Sequence, residues 1–295
     1  MCGIVGLYAK HDTISARLGA HLADMLVQMG DRGPDSAGVA LYRDAEQGNK
    51  LSARVGDAAQ RATLAEAAAE RFGCTAQVLG AHVLLTGDVG PDTVAWLAQH
   101  HPEADVMSVG ERIEIYKEAM HPDDFVSRYD LGAVAGSHAL GHTRMATESA
   151  VTTQGSHPFS TGQDLCLVHN GSLSNHNRLR TWLAGAGLLF KTENDSEVAA
   201  GYLAHRLSEG DSLADALAAA LEDLDGFYTF AIGTREGFAV LRDPIACKPA
   251  VLAETDNWVA MASEYRAIAQ LPGATEARVW EPEPGQIYTW EREAA

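Results

Sequence analysis

A cysteine directly behind the initiator methionine is the first residue of this chain with obvious chemistry. Once Met1 is removed, Cys2 carries both a thiol and a free α-amine. A free α-amine titrates near pH ~7.7–8.0 and a free thiol near ~8.5, so such a residue is a nucleophile with its own base. The neighbouring Gly3-Ile4-Val5-Gly6 suits any short N-terminal strand equally well, and locally Cys2 is as compatible with an accident beside a start codon.

Four later stretches offer partners. Asp31-Arg32-Gly33-Pro34-Asp35-Ser36-Ala37-Gly38 is dense in turn formers, yet it places Arg32 and Asp35 where the chain re-enters an apolar run, and neither type is usually buried unless paired. Gly141-His142-Thr143-Arg144-Met145-Ala146-Thr147 ends a run with a guanidinium and hydroxyls, which suits a carboxylate; pairing of Arg144 with Asp35 or another acid is the plain structural alternative. His169-Asn170-Gly171 offers a side-chain amide beside a glycine N–H, two donors able to converge on an oxyanion, but Asn-Gly is also an ordinary turn dipeptide. Asp195, in Asn194-Asp195-Ser196-Glu197, is an acid that suits a helix N-terminus on dipole grounds alone.

Apolar patterning supplies the elements that must position these groups. Residues 3–9 read as a buried strand, and Ile14, Leu18, Leu22, Met25, Leu26 and Met29 recur at helical spacing, with Thr13 as the expected N-cap and Gly30 as the stop. Strands are expected at 39–42, 78–85, 165–168, 227–233, 238–241, 250–253 and 258–262, with helices at 58–72, 93–99, 122–129 and 212–224. Further helices are centred on Leu179 and Tyr202, and Ile113 and Ile115 alternate with charges as in a half-exposed strand. With no long linker, low-complexity block or repeat, residues 1–295 read as a single domain, elaborated at about 45–135.

Composition narrows the class. The 22 Lys and Arg against 40 Asp and Glu give a formal net charge of -18, which opposes nucleic-acid and anionic-membrane binding. No apolar run reaches the ~18 residues of a membrane span, and the N-terminus lacks a basic region followed by a hydrophobic stretch, so a cytoplasmic protein is expected. Cys2, Cys74, Cys166 and Cys247 form no CxxC pair, and His100, His101 and His121 have no partners at ligand spacing, so neither disulfides nor a metal site is expected. Cys166 lies inside an apolar run and reads as an inert core thiol.

Taken together and in order, these motifs resemble class II glutamine amidotransferase domains. The resemblance continues through Arg242-Asp243-Pro244, Lys248-Pro249 and Ser263-Glu264, covering nearly the whole chain. It implies an α+β fold, the four-layer αββα N-terminal nucleophile hydrolase sandwich of two antiparallel sheets flanked by helices. It also implies a glutaminase in which Cys2 is the nucleophile, Asn170 and Gly171 form the oxyanion hole, Arg144 grips the glutamine α-carboxylate and Asp195 binds the α-ammonium. Thr147 then lies in the substrate-contacting motif, and Arg32 in the one that braces the N-terminal residue. Charge selection at both ends of the substrate implies rejection of γ-amides embedded in peptides.

Two departures are visible. Met145 stands where many relatives have a large aromatic, and the distance from Arg32 to Arg144 resembles the glutamate-synthase branch more than the compact sugar-phosphate amidotransferases. Only about seven residues follow Tyr288, so the expectation is a free-standing subunit that hands ammonia to separate synthase subunits in a hetero-oligomeric complex, with N-methylglutamate synthase as the named candidate. No cofactor is then expected on this chain, while FMN and iron–sulfur clusters belong to the partner subunits. Two alternatives stay open: a catalytically silent glutamine-binding regulatory subunit, and an N-terminal nucleophile hydrolase acting on another amide, such as penicillin or a bile-salt amide.

Overall fold

Residues 2–43, 48–145 and 151–292 are described by a computed structural model of the chain. Strand Gly3–Ala9 lies mid-sheet because both its faces are apolar: Val5 and Leu7 point to one core, Ile4 and Tyr8 to another. It is paired on one side with Trp258–Ala262 and on the other with His138–Arg144, both antiparallel. The sheet extends to Val251–Glu254 and Arg278–Trp280 at one edge, and to Ser36–Tyr42 and Ile113–Glu118 at the other, giving seven strands.

A second antiparallel sheet has the order Ile287–Glu291, Gly237–Arg242, Gly226–Gly233, Leu165–Leu173, Phe159–Gly162. The two sheets pack face to face through Ile4, Leu140, Val168, Phe238, Val259 and Met261. Phe238 stacks between Tyr8 and Trp290, and truncating such a side chain to alanine typically costs about 3–5 kcal/mol. Helix Leu18–Val27 covers the outer face of the first sheet, and helices His176–Gly185, Asp195–Ser208 and Leu213–Asp223 cover the second. The result is the four-layer αββα sandwich.

The 45–135 stretch contains a further four-stranded antiparallel sheet, ordered Thr75–Leu79, His82–Gly87, Asn49–Arg54, Asp105–Gly110, which shares its own apolar core with helices Ala58–Phe72 and Pro91–His100. The apolar run at 78–85 is therefore a hairpin rather than one strand, because Gly80 adopts φ 58° and reverses the chain. Strand Ile113–Glu118 is buried throughout instead of half-exposed. This sheet covers its charges: Lys50 meets Glu114 at 2.8 Å and Arg54 meets Glu118 at 3.6 Å.

One helix expectation also changes. The helix assigned to begin at Thr13 is capped by His11, whose side chain accepts from Thr13 N, and it ends at Ser15; a second begins at Leu18. All six residues that marked the pattern are nevertheless buried in one core.

Candidate functional site

Cys2 stands half-buried at the open end of the central strand, where two separate segments hold its carbonyl and a third holds Ile4. Ser263 holds the next turn of strand, its Oγ accepting from Ile4 N at 2.9 Å and its N–H donating to Ile4 O at 3.0 Å. Arg32 donates from Nε to the Cys2 carbonyl at 2.9 Å, and one of its terminal nitrogens pairs with Glu264 at 2.6 Å. Asn170 points its side-chain amide at the same Cys2 carbonyl, 3.4 Å away. Gly3 has no room for a side chain, since a Cβ would lie 2.7 Å from Met29 Cβ and 2.8 Å from Thr143 Oγ1.

Asn170 and Gly171 belong to a continuous strand, Leu165–Leu173, rather than to an Asn-Gly turn. Asn170 is paired with Thr229 and Gly171 with Tyr228. At Gly171 the backbone takes φ 151°, and a Cβ would fall 2.0 Å from Phe227 O, so only glycine fits. Asp195 opens the helix Asp195–Ser208 behind its N-cap Asn194. Its Oδ2 accepts from Leu173 N at 2.8 Å, which ties that helix start to the strand bearing Asn170 and Gly171.

Three histidines pack behind these groups. The His142 and His157 rings stack at 4.0 Å, His142 Nε2 lies 3.1 Å from His169 O, and His169 Nδ1 lies 2.8 Å from Ser196 Oγ. Burial pushes His142 down to about 3 and His169 down to about 4; for His169 the nearby Asp195 carboxylate opposes the shift. At neutral pH burial keeps the His142 and His169 rings uncharged.

Arg144 ends the strand His138–Arg144, is half-buried, and is paired in register with Ser36. Its backbone carbonyl accepts from Asp35 N at 3.1 Å, and Gly33 lies so close that a Cβ there would sit 2.4 Å from Arg144 N. Gly155 packs on the Arg144 guanidinium, where a Cβ would lie 3.4 Å from a terminal nitrogen. Cys2, Arg32, Arg144, Asn170, Gly171 and Asp195 therefore gather at one end of the two sheets. Met145, next to Arg144, is exposed, and Thr147 lies outside the described residues.

Sequence reasoning did not single out Lys117. It is buried at the end of Ile113–Glu118 and donates to the carbonyls of Gln154, Ser156 and Pro158 at 3.2, 2.7 and 3.2 Å. Burial pushes its ammonium down to about 7, with Glu197 acting in the opposite direction. Its alternation with Ile113 and Ile115 carries no local mark distinguishing it from a solvent-facing lysine.

Among the described residues no group of three or more His, Cys, Asp or Glu side chains is arranged to hold a metal ion. No described helix is long and apolar enough to cross a membrane.

Comparison with known proteins bears on this geometry. A family model described as a glutamine amidotransferase domain matches residues 142–270. The chain is 51% identical over 301 residues, 100% of both chains, to the glutamine amidotransferase-like protein GlxB of Rhizobium meliloti. It is 30% identical to a putative glutamine amidotransferase of Methanothermobacter thermautotrophicus, over 99% of this chain and 100% of that one. Among solved structures, glutamine phosphoribosylpyrophosphate amidotransferase from B. subtilis superposes with a TM-score of 0.63 at 21% identity, covering 98% of this chain and 47% of that one. At that identity the likeness carries the fold, and this chain spans about half of that enzyme.

Proposed function

The chain belongs to the class II glutamine amidotransferase family, and from that premise we propose that it hydrolyses L-glutamine to glutamate and ammonia through a thioester on Cys2. The observation that carries this reading is the convergence of Arg32 and Asn170 on the backbone carbonyl of Cys2, which brings a side-chain amide donor next to the residue bearing the only half-buried thiol among the described cysteines.

With Met1 removed, the Cys2 thiolate attacks the γ-amide carbon, and the Cys2 α-amine accepts the thiol proton. The developing oxyanion takes hydrogen bonds from Asn170 Nδ2 and Gly171 N–H, after a small turn of the Asn170 amide away from the Cys2 carbonyl. Collapse of the tetrahedral intermediate breaks the C–N bond, and the α-ammonium returns a proton to the leaving ammonia. Water, deprotonated by the same amine, then cleaves the thioester and frees glutamate. Arg144 holds the substrate α-carboxylate, and Asp195 with Thr147 completes the grip at the α-carbon. Residues 1–295 act on this reading as one amidotransferase domain.

The ammonia is passed to a separate synthase subunit of the glutamate-synthase type, N-methylglutamate synthase being the named candidate, with FMN and iron–sulfur clusters held by those partners. Support comes from the R. meliloti and M. thermautotrophicus relatives, which this chain matches over 100% of their length. Ammonia release from glutamine by wild type and Cys2→Ala, each with Met1 processing verified by mass, tests the chemistry: equal release from both would overturn it. Mass measurement of the native assembly tests the partnership, which a purely monomeric or homo-oligomeric protein from its own cells would refute.

A further inference from the structure

Residues 152–158 form a strap that runs at the site end of the sheets between Arg144 and Asn194, the cap of the helix that starts at Asp195. Three local bonds shape it: Gly155 N donates to Thr152 Oγ1 at 3.1 Å, Ser156 Oγ to Thr152 O at 2.8 Å, and Ser156 N to Thr153 O at 3.1 Å. Its centre, Gly155, lies beside the Arg144 guanidinium and is bonded to the residue just before Asp195. One side packs on the Arg144 guanidinium, and the Gly155 carbonyl accepts from Asn194 Nδ2 at 3.2 Å, Asn194 being the cap of the helix that starts at Asp195.

Lys117 grips this strap from below. Its three ammonium protons match three carbonyls, of Gln154, Ser156 and Pro158, and the first two flank Gly155 directly. The ammonium also lies 4.5 Å from the centroid of the Phe159 ring. Gly38, paired in register with Lys117, makes the close approach possible, because a Cβ there would fall 2.1 Å from His157 O and 2.6 Å from Lys117 Cβ. A second anchor reaches the strap from the additional four-stranded sheet, where both Asp105 carboxylate oxygens accept from Gln154 Nε2 at 3.0 Å.

A buried ammonium is costly to desolvate, and a backbone strap of this length needs no lysine merely to lie on a sheet. The specific outcome of this arrangement is that the position of Gly155, and with it the separation of Arg144 from Asn194 and Asp195, is set from the sheet edge. We propose that Lys117 is a positioning residue for glutamine recognition, acting through Gly155 to hold the α-carboxylate and α-ammonium sites at one spacing. The proposal rests on the glutaminase reading for the identity of the ligand.

Steady-state glutaminase kinetics of Lys117→Met and Gly155→Ala in the full chain test it. Lys117→Met keeps the apolar stem and removes the three donors, and should raise KM for L-glutamine roughly 10-fold or more while kcat at saturation stays within about threefold. Alkylation of Cys2 by iodoacetamide, which has no α-carboxylate or α-ammonium to be held, should proceed at the wild-type rate. Gly155→Ala, at a partly exposed position and independent of the buried lysine, should shift KM in the same direction, which keeps the test decisive if Lys117→Met does not fold. An unchanged KM in the folded variants, or a fall in kcat and iodoacetamide reactivity with KM unaltered, would overturn the proposal. Should wild type release no ammonia, the glutaminase reading fails separately, and weaker calorimetric binding of L-glutamate by the variants than by wild type still decides the role of Lys117.

Discussion

Arg32 holds the backbone of Cys2, donating from Nε to its carbonyl at 2.9 Å across a separation of thirty residues, while Glu264 fixes the far end of the same guanidinium. One planar side chain thus links the candidate nucleophile, the turn after the first helical layer and the loop after strand Trp258–Ala262. A lysine offers a single point charge in place of this fork and cannot serve both partners.

Arg32→Lys is accordingly expected to lower kcat roughly 10²-fold with KM for glutamine little changed, since a displacement of the nucleophile by about an ångström is enough for a loss of that size. Glu264→Gln should have the same sign and a smaller size. Parallel steady-state kinetics and thermal melts check this: a KM-only effect would show that Arg32 contacts substrate rather than bracing Cys2.

Asn170→Ala removes one proposed oxyanion donor and should reduce kcat by about 10²–10³-fold, with little change in the affinity for L-glutamate. Because Asn170 is part of a strand pair whose backbone bonds do not depend on its side chain, the fold should persist. Retention of more than a tenth of wild-type kcat would argue against the role.

The buried histidines make stability depend on pH. Burial pushes His82, His138 and His142 down to about 3 from an unfolded value near 6.5. Above pH ~6.5 neither state is protonated at these rings, and they contribute no slope. Between that point and pH ~3 the unfolded chain binds protons that the folded chain refuses, so stability falls on acidification by about 1.4 kcal/mol per pH unit for each ring. Urea titrations of wild type and His138→Gln between pH 8 and 5 isolate one such ring: the variant should be less stable at pH 7, and the gap should stay constant above about pH 6.5 and narrow below it by one histidine's slope, since Lys117 and the other shared groups act on both proteins alike. An equal slope in the variant would mean that His138 is protonated in the folded protein.

Thiol labelling separates the four cysteines. Burial pushes Cys166 up to about 12 and raises Cys74 as well, whereas Cys247 is exposed. At pH 8 iodoacetamide should modify Cys2 and Cys247 and spare the other two, and in Cys247→Ser the single modified site should be Cys2. Peptide mass mapping reads this directly; prompt labelling of Cys166 would mean that the space between the sheets opens readily.

Much of this molecule is legible from local pattern. Strand Trp258–Ala262, strand Gly3–Ala9 and helix Pro122–Tyr129 are marked by apolar periodicity and by a proline at the helix start, forces that act within a few residues. The short edge strands Phe159–Gly162 and Asp105–Gly110 are not, because they are stabilised by pairing with distant strands rather than by their own composition. Strand Ile113–Glu118 misleads in the opposite direction: its alternating charges look solvated, yet Lys50 and Arg54 of the additional sheet pair with Glu114 and Glu118, and distant carbonyls take up Lys117.

The candidate site divides along the same line. Residue types mark Cys2, Arg144 and Asn170-Gly171 as candidates, and the order of the motifs, through the family they resemble, adds roles for Arg32 and Asp195. Which of them meet, and what holds them, is decided by tertiary structure. Arg32 finds Cys2 and Glu264 from the other end of the chain, Asp195 finds Leu173 N, and Lys117 finds three carbonyls 37 to 41 residues away. Such bonds gain their strength from a shared desolvated space that exists only once the two sheets have packed, and no periodicity in the sequence encodes that space.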